Sequence, residues 1–174
     1  MAKKKTPKFV VIKDTREQKG WIFHSGDACD GMKPGTLKTG DYTLEGFEDA
    51  VCKKRKKSVE EIANNVGKEK KRFNAEMLRI QEYPFKYIIC EFSMDDVINY
   101  PRSIFSEYMW HNKPDFCKRE IAGRKITGKY ILKALMEYQT WYGIHILFCD
   151  NAKNAQKVTE SIFKRLNTMF HEQT

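Results

Sequence analysis

Short apolar runs along this chain alternate with longer segments in which apolar residues recur every three or four positions, the pattern of strands interleaved with helices. Phe9-Val10-Val11-Ile12 predicts a buried strand over Lys8–Asp14. Trp21–His24 predicts a short second strand, and the Gly-, Asp- and Pro-containing stretch Gly26–Gly35 a loop. Polar and apolar residues alternate from Thr39 to Leu44, which suits a half-buried strand, and Glu45–Asp49 turns the chain. Ala50-Val51-Cys52 then opens a strand that runs into Lys53–Lys57. Ser58 with Glu61 three residues later predicts a capping box. The helix it opens ends near Val66, with Val59, Ile62, Ala63 and Val66 on one face.

A second helix is predicted over Lys68–Glu82, with Phe73, Met77, Leu78 and Ile80 on its apolar side. Tyr87–Phe92 reads as a central strand, and Met94–Tyr100 as a short helix or turn stopped by Pro101. Ile104–Lys125 resists assignment. Thr127-Gly128 leads a helix over Lys129–Tyr142 that Gly143 terminates. Ile144–Cys149 is the last strand, and Asp150-Asn151 caps a final helix from Ala152 to about Phe170. The order predicts an α/β fold, a mixed central sheet flanked by helices.

The stretch 37–60 carries the candidate chemistry. Residues on strands joined by a short turn lie about 5 Å apart across the ladder. Asp41 can therefore face positions 54 and 56 of the next strand, while residue 55 points away. An acid facing an acid-x-lysine is an arrangement of metal nucleases: carboxylates hold a divalent cation and the lysine positions water against a phosphate. Position 56 is Lys, as that chemistry requires. Position 54 is also Lys, where the second acid belongs.

Gly40-Asp41, Lys54-Arg55-Lys56 and Glu60 resemble the G-D-x(n)-E-R-K-x(3)-D signature of the XPF/Mus-type structure-selective DNA nucleases. Upstream, Asp14-Thr15-Arg16-Glu17 resembles the D-x-R-E segment of the same domain, and the similarity spans residues 8 to about 150. The resemblance implies a restriction-endonuclease-like fold, Mg²⁺ or Mn²⁺ as cofactor, and cleavage of DNA at flaps, forks or junctions. It implies Asp41 as metal ligand, with Asp14 and the Arg55 backbone carbonyl beside it. It makes Lys56 the catalytic lysine, places Glu17 in the site, and has Arg16 support it or meet phosphate. Lys54 replaces the catalytic Glu, and Glu60 stands for the trailing Asp. The alternative register, Arg55-Lys56-Lys57, matches one motif residue rather than two.

An ammonium roughly 5 Å from a divalent ion repels it by about 6 kcal/mol at an effective dielectric near 20. A millimolar-to-micromolar metal site is worth about 4 to 8 kcal/mol. Repulsion and the lost ligand are therefore expected to remove most metal affinity unless Lys54 swings out or pairs with Asp41, and the chain is expected to be nearly inactive as a nuclease. The rival expectation is a non-catalytic module that binds or scaffolds branched DNA.

Composition agrees with a nucleic-acid partner without choosing DNA over RNA: 32 Lys and Arg against 23 Asp and Glu give a net charge of +9, with 13% aromatics. The basic residues cluster at 3–8, 53–57 and 68–72. Taken alone, the run 53–57 reads as a solvated face or basic patch. Lys57, Lys68 and Arg72 are candidate DNA contacts; for the 68–72 stretch a solvated helix face is an equal reading. The aromatic and basic residues of 104–125 suit either stacking on DNA or a packed insertion.

One domain, 8–174, is expected after a basic tail at Met1–Pro7, with no helix-hairpin-helix module. Such stand-alone domains are similar to those of bacteria and their viruses, which implies a cytoplasmic setting in the cell or infected host. The C-terminal region can form a dimer face in that family. Five cysteines without a C-x-x-C, and four scattered histidines, argue for buried free thiols and against zinc. Glu91 is a secondary candidate for approaching the metal site. No apolar run reaches the roughly 20 residues of a membrane span.

Overall fold

The computed structural model describes residues 6–172. Most of the expected tail lies outside the described residues.

Six strands form one sheet: β1 (Phe9–Asp14), β2 (Cys29–Gly35), β3 (Tyr42–Leu44), β4 (Val51–Lys56), β5 (Phe85–Cys90) and β6 (His145–Phe148), in the order β2-β1-β3-β4-β5-β6. The sheet is mixed. β3 runs antiparallel to both β1 and β4, whereas β1–β2, β4–β5 and β5–β6 are parallel. The tight Glu45–Ala50 turn permits the antiparallel pair. Each parallel pair needs a longer crossover, and two of the three crossovers are helical.

Helices α1 (Val59–Val66) and α2 (Lys70–Ile80) connect β4 to β5. Helices α3 (Met94–Ile98), α4 (Glu107–Asn112), α5 (Pro114–Ile121) and α6 (Gly128–Tyr142) connect β5 to β6, and α7 (Ala152–Glu172) follows. On one face of the sheet Cys52, Ile88 and Cys90 pack against Ile62, Phe73, Met77, Ile131 and Leu135. On the other, Val11, Tyr42, Leu44, Val51 and Ile89 pack against Phe163 and Leu166 of α7.

Several sequence expectations change. Trp21–His24 is not a strand. Trp21 and Phe23 are buried, but as coil whose side chains fill the space beside Tyr42, with the Trp21 and Tyr42 rings stacked at 5.0 Å. The strand lies in the expected loop instead, at Cys29–Gly35. Its Pro34 is tolerated because β2 is an edge strand. β3 is shorter than Thr39–Leu44, α2 is shorter than Lys68–Glu82, and Leu78 is exposed on α2.

The capping box at Ser58 is half formed. Ser58 accepts the Glu61 N–H, but the Glu61 carboxylate takes the Lys57 N–H at 2.9 Å instead of reaching Ser58. A 3-10 turn at Arg102–Ile104 leads into the unassigned segment Ile104–Lys125, which forms α4 and α5. Gly143 closes α6 in the left-handed region at φ 61°, and all five cysteines are buried and free. Among the described residues, no helix is long and apolar enough to cross a membrane.

Candidate active site

The hairpin β3–β4 presents the motif. Gly40 precedes Asp41 at φ +86°, and a Cβ there would stand 2.7 Å from Cys52 Sγ, so the chain needs glycine to enter β3 this close to β4. Asp41 N–H donates to Lys53 O at 2.7 Å, and Asp14 N–H donates to Asp41 O at 2.9 Å. These bonds align the end of β1 with the start of β3 and the middle of β4.

Strand alternation then divides the basic run. Lys54 and Lys56 join Cys52 on the α1/α2 face, while Lys53 and Arg55 point to the opposite face. The run is not a solvated patch. Lys53 and Lys56 are buried, at 0% and 2% exposure, and only Lys57 is fully outside. The same alternation decides the register, because 54 and 56, rather than 55 and 57, share the face of Asp41.

A cavity of about 530 Å³ opens on that face, lined by Asp14, Asp41, Lys54, Lys56 and Glu76 among others. At its centre the Lys54 ammonium lies 2.9 Å from Asp41 Oδ1 and 3.0 Å from Glu76 Oε1. The second Asp41 oxygen accepts the Arg55 N–H at 2.7 Å. Burial acts to lower the Lys54 pKa, but the two carboxylates outweigh it and hold the ammonium charged, above its ordinary range. Lys56 is held by Asn65 Oδ1 at 2.7 Å and Glu61 Oε1 at 3.0 Å, over the Phe73 ring.

Asp14 and Glu17 line the same cavity. The Asp14 carboxylate is already engaged by Arg16 in a two-pronged pair at 2.7 and 2.9 Å, and by the Leu37 N–H at 2.9 Å. The Arg16 bonds hold its pKa down at about 2. Arg16 thus supports Asp14, donating also to Leu37 O. The Arg55 side chain turns to the far face, where it meets Glu91, Lys19 O and, at 3.4 Å, Glu17. Glu91 therefore does not approach the cavity; Arg55 and the Trp21 indole N–H hold it on the other side of the sheet. Arg72 lines the cavity, and Lys57 stands exposed at the end of β4. Lys68 lies outside it, in a separate cleft across the α1–α2 corner.

Sequence reasoning missed Glu76, Glu61, Asn65 and Thr39. The one available signal for Glu76 was its place beside Met77 and one helical turn after Phe73, at the edge of the buried stripe of α2.

Among the described residues no group of three or more His, Cys, Asp or Glu side chains is disposed to hold a metal ion. The cation between Asp41 and Glu76 is the ammonium of Lys54. The residues present thus do not fit the Mg²⁺ or Mn²⁺ that the motif implies.

A mixed six-stranded sheet with helices on both faces, carrying Gly-Asp and x-Arg-Lys across its central hairpin, defines a restriction-endonuclease-like domain. The chain belongs to the ERCC4 domain family, which it matches over residues 14–162. Its fold is similar to that of XPF from Aeropyrum pernix, with a TM-score of 0.58 at 21% identity over 91% of this chain and 61% of that one. XPF from the same organism in complex with DNA gives a TM-score of 0.60 at 22% identity, over 93% of this chain and 66% of that one. The chain thus spans about three fifths of the length of the first of these. No curated protein matches the sequence.

Proposed function

We propose that this domain is a structure-selective DNA endonuclease domain whose catalytic centre is blocked by Lys54, so that it engages flapped, forked or junction DNA without appreciable turnover. The observation that carries the reading is the Lys54 ammonium seated between the Asp41 and Glu76 carboxylates, in the cavity where the two motif blocks meet. Membership of the ERCC4 domain family and the likeness to an XPF bound to DNA support DNA as the partner. So does the charge of +9, with Arg16, Lys38, Arg72 and Arg79 around the cavity to meet phosphates.

When bound, a divalent ion would supply charge stabilisation at the scissile phosphate. In this chain Lys54 both removes a ligand and puts a like charge in its place. Pairing with Asp41, one of the two ways out left open by the sequence, does not free the site, because the ammonium occupies the carboxylate that would hold the ion. Lys56, held by Asn65 and Glu61, is the group positioned to meet a phosphate oxygen or water.

The test is a cleavage assay on flap, fork, four-way junction and plain duplex, with Mg²⁺ and Mn²⁺, for this chain beside Lys54→Glu. Cleavage by the variant alone is the expected result, and the panel then names the substrate. Silence from both, with tight junction binding that survives EDTA, would identify a scaffolding module instead.

A further inference from the structure

Helix α2 turns Phe73 and Glu76 to the catalytic cavity, and Lys70 and Asn74 to a different surface. There a cleft of about 890 Å³ lies between the α1–α2 corner and the loop joining α5 to α6, with Lys68, Lys70 and Lys125 in its walls. A smaller hollow of about 280 Å³ follows α6 past Tyr130, Tyr138 and Trp141. Lys70 and Tyr130 line both, so the two join into one groove.

The rings of this groove are uncovered and its cations uncompensated. Trp141 is 79% exposed and Tyr130 38%, although Ile131, Leu135 and Tyr138 of the same helix are buried in the core. The Tyr138 hydroxyl donates to Asn74 Oδ1 at 2.6 Å and its ring stacks on Tyr142, which fixes the wall of the hollow. The two acids in the groove are already taken, Glu60 by Arg124 at 3.0 Å and Glu137 by Lys133 at 3.8 Å. Lys68, Lys70 and Lys125 have no carboxylate partner among the described residues; Lys70 Nζ donates instead to the Tyr130 hydroxyl at 3.2 Å. Cations set between bare rings suit a single nucleic-acid strand, whose phosphates meet the ammoniums while its unpaired bases stack on the rings. A duplex keeps its base faces inside the stack, out of reach of Trp141.

We infer that this groove holds the unpaired strand of flapped or forked DNA, with Trp141 and Tyr130 as stacking platforms and Lys68, Lys70 and Lys125 as phosphate contacts. Helix α2 then stands between the phosphate in the catalytic cavity and the unpaired strand. The inference rests on the nuclease reading for DNA as the partner and deepens it by placing the strand that distinguishes a flap from a duplex, but its test requires no cleavage.

The experiment measures the affinity of the full chain for labelled oligothymidylate, for the ribonucleotide strand of the same sequence and for blunt duplex, by fluorescence anisotropy across a salt series. The variants are Trp141→Ala and Lys68→Ala/Lys125→Ala, with melting temperatures followed in parallel. Trp141→Ala is expected to bind oligothymidylate about ten-fold more weakly, the scale of one lost stacking platform, and duplex as the wild type does. The lysine double variant should lower the slope of log affinity against log salt by about 1.4, the share of two single-strand phosphates. It carries the comparison alone if Trp141→Ala fails to fold. Unchanged single-strand affinity, an equal loss on duplex, or tighter binding of the ribonucleotide strand overturns the inference. So does a change in the oligomeric state of Trp141→Ala with DNA affinity intact, which would make this face a protein interface. Groove-dependent binding with no cleavage of branched DNA by Lys54→Glu would leave the groove standing and overturn the nuclease reading instead.

Discussion

Arg55 and Glu91 form a two-pronged ion pair on the sheet face opposite Lys54, with Nε–Oε1 at 2.6 Å and Nη2–Oε2 at 3.1 Å. The side chains are only 10% and 6% exposed, and the Trp21 indole donates to the same carboxylate at 2.7 Å. Arg55 sits in the motif, but its guanidinium ties the coil at Trp21 to the end of β5. Removing one member of a buried pair leaves the other uncompensated, at a cost of about 3 to 5 kcal/mol. Arg55→Ala and Glu91→Gln are each expected to lose about that much in urea denaturation. A loss under about 1 kcal/mol would show the pair to be dispensable for the fold.

Lys56 is buried under Asn65 and Glu61, so its ammonium is fixed rather than free to sample solvent. In a Lys54→Glu background, Lys56→Ala is expected to lower cleavage of branched DNA by roughly 10²–10³-fold, the scale for losing one preorganised charge donor. Comparable rates with and without Lys56 would remove it from the chemistry.

Asp14 links the site to pH. Its carboxyl is held at about 2 by the Arg16 bonds, against an ordinary value of 3.8. A depressed folded-state value contributes stability above the unfolded-state value, lost as pH falls through the folded one. The difference in unfolding free energy between wild type and Asp14→Asn should be about 2 kcal/mol at pH 7. It should shrink between pH 4 and pH 2, as followed by denaturant melts across that range. A pH-independent difference would contradict the assignment.

Lys53 also makes stability rise with pH, but by relieving a burial cost rather than by adding a favourable pair. Its amine nitrogen donates to Thr159 O at 3.1 Å and lies 4.3 Å from the Phe163 ring centroid, with no carboxylate partner among the described residues. Burial pulls its pKa well below the ordinary 10.5. The unfolded chain therefore binds more protons than the folded one between the depressed and the ordinary value, and stability should rise with pH up to the ordinary 10.5. Lys53→Met is expected to remove that slope and to stabilise the protein at pH 7 by about 2 kcal/mol. Thermal melts at pH 7 and 9.5 check both effects.

Gly40 sets the approach of β3 to β4. A Cβ at this position meets Cys52 Sγ at 2.7 Å and Lys53 O at 3.2 Å, at φ +86°. Gly40→Ala should cost about 2 kcal/mol or more through strain and overpacking, and displace Asp41 from Lys54. A melting temperature within a degree of the wild type would show that the hairpin relaxes freely.

Elements whose signals are local could be read directly from the chain. Ser58, Thr127, Gly143 and Asn151 stop or start helices because their own side chains or backbone freedom satisfy nearby groups. Lys54 and Lys56 share a face by the period-two pleat, and the short turn sets Asp41 opposite them, so their common face could be read before any fold was known. The motif blocks likewise led to the family that residues 14–162 match.

The remainder depends on contacts between segments far apart in the chain. Trp21–His24 has the composition of a strand, but β1 takes Cys29–Gly35 as its edge partner and leaves the aromatics to fill a face. Lys53 has the composition of a surface residue, but its place between β3 and β5 buries it under α7. Glu91 and Arg55 pair across neighbouring parallel strands, a contact separated by 36 positions. Glu76 meets Lys54 because the α1–α2 crossover folds back over the sheet. Such long-range contacts leave no periodic trace in the chain; they arise only when the hydrophobic faces of separate elements are buried against one another.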